Sequence, residues 1–288
     1  MKIKALLATL IGAVALQGVS AGEWCPPAPD KCPVECCDDT NGEVSFGYGS
    51  DYIFYGVRLA RDHVWADANY TFDGLPLPLT VGVWHLSSLG SGGAVSDAYG
   101  DETNLYASVA LPSFCGFDAS LGYKALFYPT TRQPSPGTAG DSQNELSLSI
   151  SREIFCGVTL GYTAAYDFNV TDFNDTVLAD RSGAWVHTLG LSKSVDITDC
   201  LALDLAGGVL YTDNYWENVA GATKDSGWNN YYLSASLPIA LSGCATLTPY
   251  VGYSGTPDTW VADGINGGVP GANQNDVFHG GVSISVGF

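Results

Sequence analysis

From Glu43 to the last residue the chain alternates. In 157–168, Val158, Leu160, Tyr162, Ala164, Tyr166 and Phe168 share one parity, and Thr159, Gly161, Thr163, Ala165 and Asp167 share the other. Side chains on a strand point to opposite faces in turn, so such a segment has one oily face and one small or polar face. Twelve segments read this way: 44–58, 63–72, 77–86, 103–111, 119–128, 145–154, 157–168, 185–197, 201–211, 231–241, 245–254 and 277–288. Most hold about ten residues, the length a tilted strand needs to cross the hydrocarbon of a bilayer.

The connections alternate too. Those at 73–74, 113–117, 155–156, 198–200 and 242–244 are short. Those at 87–102, 130–144, 169–183, 212–229 and 255–276 are long, polar and mostly acidic. A charged turn is expected at 59–62. Short turns at one end and long loops at the other are the outer-membrane pattern. The expected fold is all-β: a transmembrane antiparallel up-and-down barrel of twelve strands over 43–288. An even strand number puts both ends of the barrel on the short-turn, periplasmic side. Phe54, Phe168, Trp185, Tyr211 and Tyr231 fall near the loops, and Phe72, Phe155 and Phe288 near the turns, as two interfacial girdles would. Two residues fit poorly. Pro249 lies inside a strand, where a closed barrel offers no free edge for a residue lacking an N–H. Lys193 falls on the apolar parity, near the periplasmic end, where its amine could reach the headgroups.

Upstream of the alternation lie two other segments. Residues 1–21 read as a secretory signal, with Lys2 and Lys4, an apolar run from Ala5 to Leu16 and the small residues Val19-Ser20-Ala21. Residues 22–42 are rich in Cys and Pro, show no strand or helix period, and read as a covalently tied periplasmic segment.

The chain carries 30 Asp and Glu against 11 Lys and Arg, a formal charge of −19. Nucleic acid is excluded as a partner, because binding it requires clustered basic residues. Charged residues make up only 14% of the chain, little for a large soluble domain but enough for one whose outside faces lipid.

The eight cysteines divide in half. Cys115, Cys156, Cys200 and Cys244 lie 41, 44 and 44 residues apart, each in or beside a different short turn. Cys25, Cys32, Cys36 and Cys37 lie in 22–42, which starts on the same side. In an oxidising periplasm the four turn cysteines are expected to staple that segment across the barrel floor. Each closed loop would contribute about 3–5 kcal/mol in the loop-entropy model. Pairing within each group, or between protomers, is the alternative. The thiols of Cys32, Cys36 and Cys37 could also hold zinc, which the expected compartment disfavours. No cofactor is expected.

The inward parity supplies the candidate pore lining: Asp51, His63, Asp67, Lys124, Glu145, Asp167 and Asp204. Carboxylates dominate it, which lowers the barrier for cations. Small inward residues such as Gly122, Ser149, Gly161 and Thr163 leave the bore unfilled, unless long loops fold in to close it. No enzyme is expected. The four histidines are scattered and no Gly-x-Ser-x-Gly elbow is present.

Two stretches carry resemblances. The terminal strand ends on Phe288 with no polar tail, and resembles the C-terminal signal read by the barrel-assembly machinery of the outer membrane. Ser50-Asp51-Tyr52-Ile53-Phe54-Tyr55-Gly56-Val57 resembles the first-strand signature Ser-Asp-Tyr-x-Phe-Arg-Gly-[Ile/Val] of the TorF-family outer-membrane porins. Tyr70 and Gly82-Val83-Trp84 are similar to that family's next two strands. Tyr55 stands where the family usually has Arg, and the Cys-rich start is outside its pattern. The resemblance implies a barrel and a pore, and brings no catalytic residues. The expected protein is thus a porin-like channel of the bacterial outer membrane for small solutes, with a preference for cations. Its expected partners are lipid, lipopolysaccharide and the assembly machinery. The competing expectation is a disulfide-locked structural protein of the envelope that transports nothing.

Overall fold

The computed structural model describes residues 40–90, 101–128, 141–168, 183–198, 201–216, 226–241, 244–258, 260–262 and 276–288. The signal at 1–21, the cysteines at 25, 32, 36 and 37, and Cys200 lie outside the described residues.

Twelve long strands and one two-residue strand form a single antiparallel sheet. They are β1 Gly42–Phe54, β2 Val57–Phe72, β3 Leu79–Gly90, β4 Asp101–Phe114, β5 Phe117–Tyr128, β6 Asp141–Phe155, β7 Val158–Phe168, β8 Ala184–Thr198, β9 Leu201–Asp213, β10 Ser226–Ser236, β11 Ile239–Ala240, β12 Ala245–Gly255 and β13 Asp276–Gly287. Each pairs with its neighbour in sequence from β1 to β10, and β10 pairs with β12 across the short β11. β13 pairs with β12 and with β1, so the sheet closes on itself. Closure removes every long edge whose N–H and C=O groups lipid could not satisfy.

The outward parity is apolar all the way round. Phe46 on β1, Leu105 on β4, Leu146 on β6, Leu189 on β8, Leu233 on β10 and Ile284 on β13 are each at least 40% exposed. A belt of bare hydrocarbon this continuous is stable only against lipid, so the protein is a transmembrane barrel of the outer-membrane type. Lys193 is exposed on that face, and the β8–β9 register runs through it unbroken. No bulge absorbs it.

The Pro249 problem is solved by a paired break. Leu237 N–H donates to the Pro249 carbonyl at 3.0 Å, so the missing Pro249 N–H faces the same side. That is where the adjoining strand is itself interrupted, between β10 and β11 at Leu237-Pro238. Towards β13 the register continues through Pro249↔Val282.

Three tight hairpins share one turn. Tyr55-Gly56, Cys115-Gly116 and Cys156-Gly157 have φ of 42° and 79°, 51° and 76°, and 42° and 76°. Two successive left-handed residues make the type I′ turn, whose twist matches that of the strands it joins. The first of these corrects the expected boundary. The β1–β2 connection is at Tyr55-Gly56, and the charged stretch 59–62 is strand. Phe54 is consequently buried, 9% exposed, and is not a girdle residue, whereas Trp185, Phe72, Phe155 and Phe288 do face outward.

Candidate functional site: the bore and its outer closure

The end bearing the long loops is the outer one, by the same topology that places short turns in the periplasm. Near the periplasmic end the bore wall is small and hydroxylic, with Ser149, Thr163, Ser192 and Ser234 on inward positions of β6, β7, β8 and β10. Ser149 and Thr163 hydroxyls bond each other at 2.9 Å. A Cβ added to Gly161 would meet nothing within 4 Å, so the space beside β7 is open. Asp204, half-buried on β9 opposite Ser194 and Ser236, belongs to this region.

The outer half departs from the expectation of an unfilled bore. Val57, Leu59, Leu86, Leu126, Val186 and Leu210 are 0–6% exposed and form one cluster with Tyr215, Trp216, Val261 and Ala262. These residues come from β2, β3, β5, β8 and β9 and from the ends of the outer loops. Val57, Arg58, Leu59 and Ala60 are buried in succession, which a strand with one face to lipid cannot be. The tip of the β1–β2 hairpin therefore lies inside the barrel.

Tyr55, at that tip, reaches the far wall. Its hydroxyl donates to Glu145 on β6 at 2.6 Å. Its carbonyl accepts from the Asn229 side chain on β10. Its ring packs edge-on against Tyr215 at 5.0 Å. Loss of water around the phenol, and then the Glu145 charge, push the Tyr55 hydroxyl well above its ordinary range, so it remains a donor. A Cβ on Gly56 would lie 2.5 Å from the Asn230 side chain, and φ there is 79°. Only glycine permits so close an approach in that conformation.

The sequence-predicted residues divide accordingly. Lys124 pairs with Glu145 at 3.0 Å and lies about 6 Å from the rings of Phe54 (6.0 Å) and Tyr55 (5.9 Å). Asp51 pairs with Arg58 at 3.6 Å within the hairpin. Asp167 accepts from Gln143, which also donates to Tyr215 at 2.9 Å. Asp67, lower on β2, accepts from Tyr106 at 2.9 and 3.0 Å and from Asn69 at 3.2 Å. His63 is 1% exposed and faces the Tyr52 ring at 5.7 Å. Six of the seven are thus held in contacts within a filled or narrowed section, and Asp204 alone lies beside the open one.

Sequence reasoning missed Tyr55, Tyr215, Asn229 and the inward indoles of Trp65 and Trp84. The signal for Trp65 was its parity, shared with His63 and Asp67. The signal for Tyr55 was the X-Gly pair itself, a two-residue hairpin turn.

At the periplasmic rim Cys115 carries an exposed free thiol. The other half of the four-against-four staple, Cys25, Cys32, Cys36 and Cys37, lies outside the described residues. Cys156 and Cys244 are disulfide-bonded.

No protein-family model matches the chain, and no curated protein matches it in sequence. Solved structures match in fold. An outer-membrane channel from Pseudomonas putida F1 is 12% identical with a TM-score of 0.52, over 90% of this chain and 99% of its own. The KdgM porin is 7% identical with a TM-score of 0.48, over 85% and 99%. Outer-membrane phospholipase A from Escherichia coli is 15% identical with a TM-score of 0.40, over 86% and 92%. The likeness to the Pseudomonas putida channel, at a TM-score of 0.52, is one of fold: an outer-membrane barrel. A fold does not fix a function, so function must be argued from this chain's own bore.

Proposed function

We propose that the protein is a porin-like channel for passive diffusion of small solutes across the outer membrane. The observation that carries this reading is the open, hydroxyl-lined space beside Gly161 in a closed transmembrane barrel. A barrel whose only task was to anchor or stiffen the envelope would gain stability by filling that space, as its outer half is filled. The fold shared with the Pseudomonas putida channel is consistent with it. The preference for cations rests on inward carboxylates: Glu43, Asp51, Asp67, Glu102, Glu145, Asp167 and Asp204 outnumber Arg58, Arg61 and Lys124 among the described residues. In this reading Phe288, 62% exposed with its backbone paired to Gly42, is the residue presented to the assembly machinery.

Purified, heat-modifiable protein reconstituted in a planar bilayer tests the proposal. The expected result is discrete current steps, with a reversal potential of the sign set by cations in asymmetric KCl. A folded barrel that carries no current, before or after opening of its outer end, would overturn it. The second reading, a structural barrel, is favoured by the apolar cluster in the outer bore and by the bonded Cys156 and Cys244.

A further inference from the structure

The first hairpin is attached to the wall for only part of its length. β1 pairs with β13 from Glu43 to Gly49, and β2 pairs with β3 from Phe72 to Arg61. Residues 51–60 lie beyond both ladders and pair across their own hairpin, Tyr52 with Ala60, Ile53 with Arg58 and Phe54 with Val57. Both strands bend at this level. The β1–β2 register shifts between Tyr52 and Ile53, and Asp62 holds a left-handed φ of 44° that side-chain-bearing residues rarely adopt. The segment is a flap hinged on the rim and folded across the bore.

Given the channel reading above, on which this rests, we infer that residues 51–60 form a displaceable gate, latched shut by Tyr55 against Glu145 and Asn229. Swinging the flap outward breaks no ladder hydrogen bond to β3 or β13, because it has none there. What must break is the Tyr55–Glu145 bond, the Asn229–Tyr55 bond, the Tyr52–Glu102 bond, and the packing of Tyr52, Phe54, Tyr55, Val57, Leu59 and Ala60 on the wall cluster that includes Trp84 and Tyr215. The internal Asp51–Arg58 pair travels with the flap. Lys124 keeps Glu145 in either position, so the latch acceptor stays charged and aimed at the bore when the flap leaves. The closed flap, with its apolar residues covered, is the resting state.

Single-channel recording separates a gate from a fixed plug and from an inert barrel. The variants are Tyr55→Phe, Asn229→Ala and a deletion of 53–58 closed by two glycines. Tyr162→Phe, outward on β7, serves as the control, and every sample is first shown to be folded by heat-modifiable mobility. The expected result is brief, infrequent openings in wild type and control. Tyr55→Phe and Asn229→Ala should each raise open probability about two- to tenfold, the factor for one net hydrogen bond, and the deletion should conduct steadily. Tyr55→Phe retains the ring and its packing, so it keeps the test sound if Asn229→Ala folds poorly. Steady conductance in wild type, unchanged in the variants, would overturn the gate and leave the channel standing. Silence in all but the deletion would make the flap a fixed plug, which also overturns the gate. Silence in the deletion too would remove the channel reading itself.

Discussion

At the level of Leu126 and Val186 the bore is filled as a soluble protein's interior is filled, with both side chains at most 2% exposed. Beside Gly161 on β7 it is lined by hydroxyls and hydrogen, and a Cβ there would meet nothing within 4 Å, while the Tyr232 hydroxyl covers Gly190 on the next strand. The same wall, built from the same alternation, supports both. The difference is what enters it. An ordinary barrel strand gives the lumen one side chain in two, too few to fill a twelve-stranded ring. The outer half is filled because the first hairpin and the loop ends add side chains from within. Packing is therefore a property of the hairpin, and stability and conduction should respond to substitutions in opposite halves.

The largest effect should come from thinning the packed half. Leu126→Ala removes a fully buried side chain and should cost about 2–5 kcal/mol, as cavity-forming substitutions in close-packed interiors do. Denaturant unfolding in detergent, followed by the heat-modifiable band, measures it. A loss below about 1 kcal/mol would mean that the outer half is not packed as a core.

Much of this architecture can be read in the residues, and the limit is instructive. A period of two, repeated for about ten residues, dictates a strand whatever surrounds it, so the twelve strands, their faces and the polarity of turns and loops are visible in advance. Position along the barrel axis carries no such signature. Glu145 and Asp204 share the inward parity, and nothing local shows that one is latched to Lys124 and Tyr55 while the other borders open space. The hairpin was misplaced because Val57-Arg58-Leu59-Ala60-Arg61 does not alternate. Four of those five residues are buried in succession, so the rule that located the other strands had nothing to act on. Broken alternation at a strand end is the trace left by a segment that has quitted the wall.

Between the two halves stands Asp67, and its removal from hydrogen bonding should have an intermediate effect. Tyr106→Phe deletes the hydroxyl that both Asp67 oxygens accept and leaves a 2%-exposed carboxylate with fewer donors. The expected cost is about 1–3 kcal/mol, read by the same unfolding assay. A neutral result would place water in the role assigned to the phenol.

In the open half the signs reverse. Gly161→Phe should leave the unfolding midpoint within about 0.5 kcal/mol, because the added ring meets no wall atom at its root. It should nevertheless reduce single-channel current, since the ring occupies the path. The same substitution would be ruinous at Gly56, where Asn230 is already in contact range. Unchanged current in Gly161→Phe would move the solute path away from β7.

The smallest effect separates free from neutralised charge. Asp204 has no ion-pair partner among the described residues, while Glu145 is paired to Lys124 at 3.0 Å. A unit charge acting through water at about 10 Å contributes about 0.4 kcal/mol, roughly a twofold change in local cation concentration, before salt screening reduces it. Asp204→Asn should therefore shift the reversal potential in asymmetric KCl slightly towards anions, and more at low salt than at high salt. Asp204→Lys should move it about twice as far, because the change in charge is doubled. If neither moves the potential at any ionic strength, the carboxylates of the bore do not set selectivity, and the outer loops become the place to look for it.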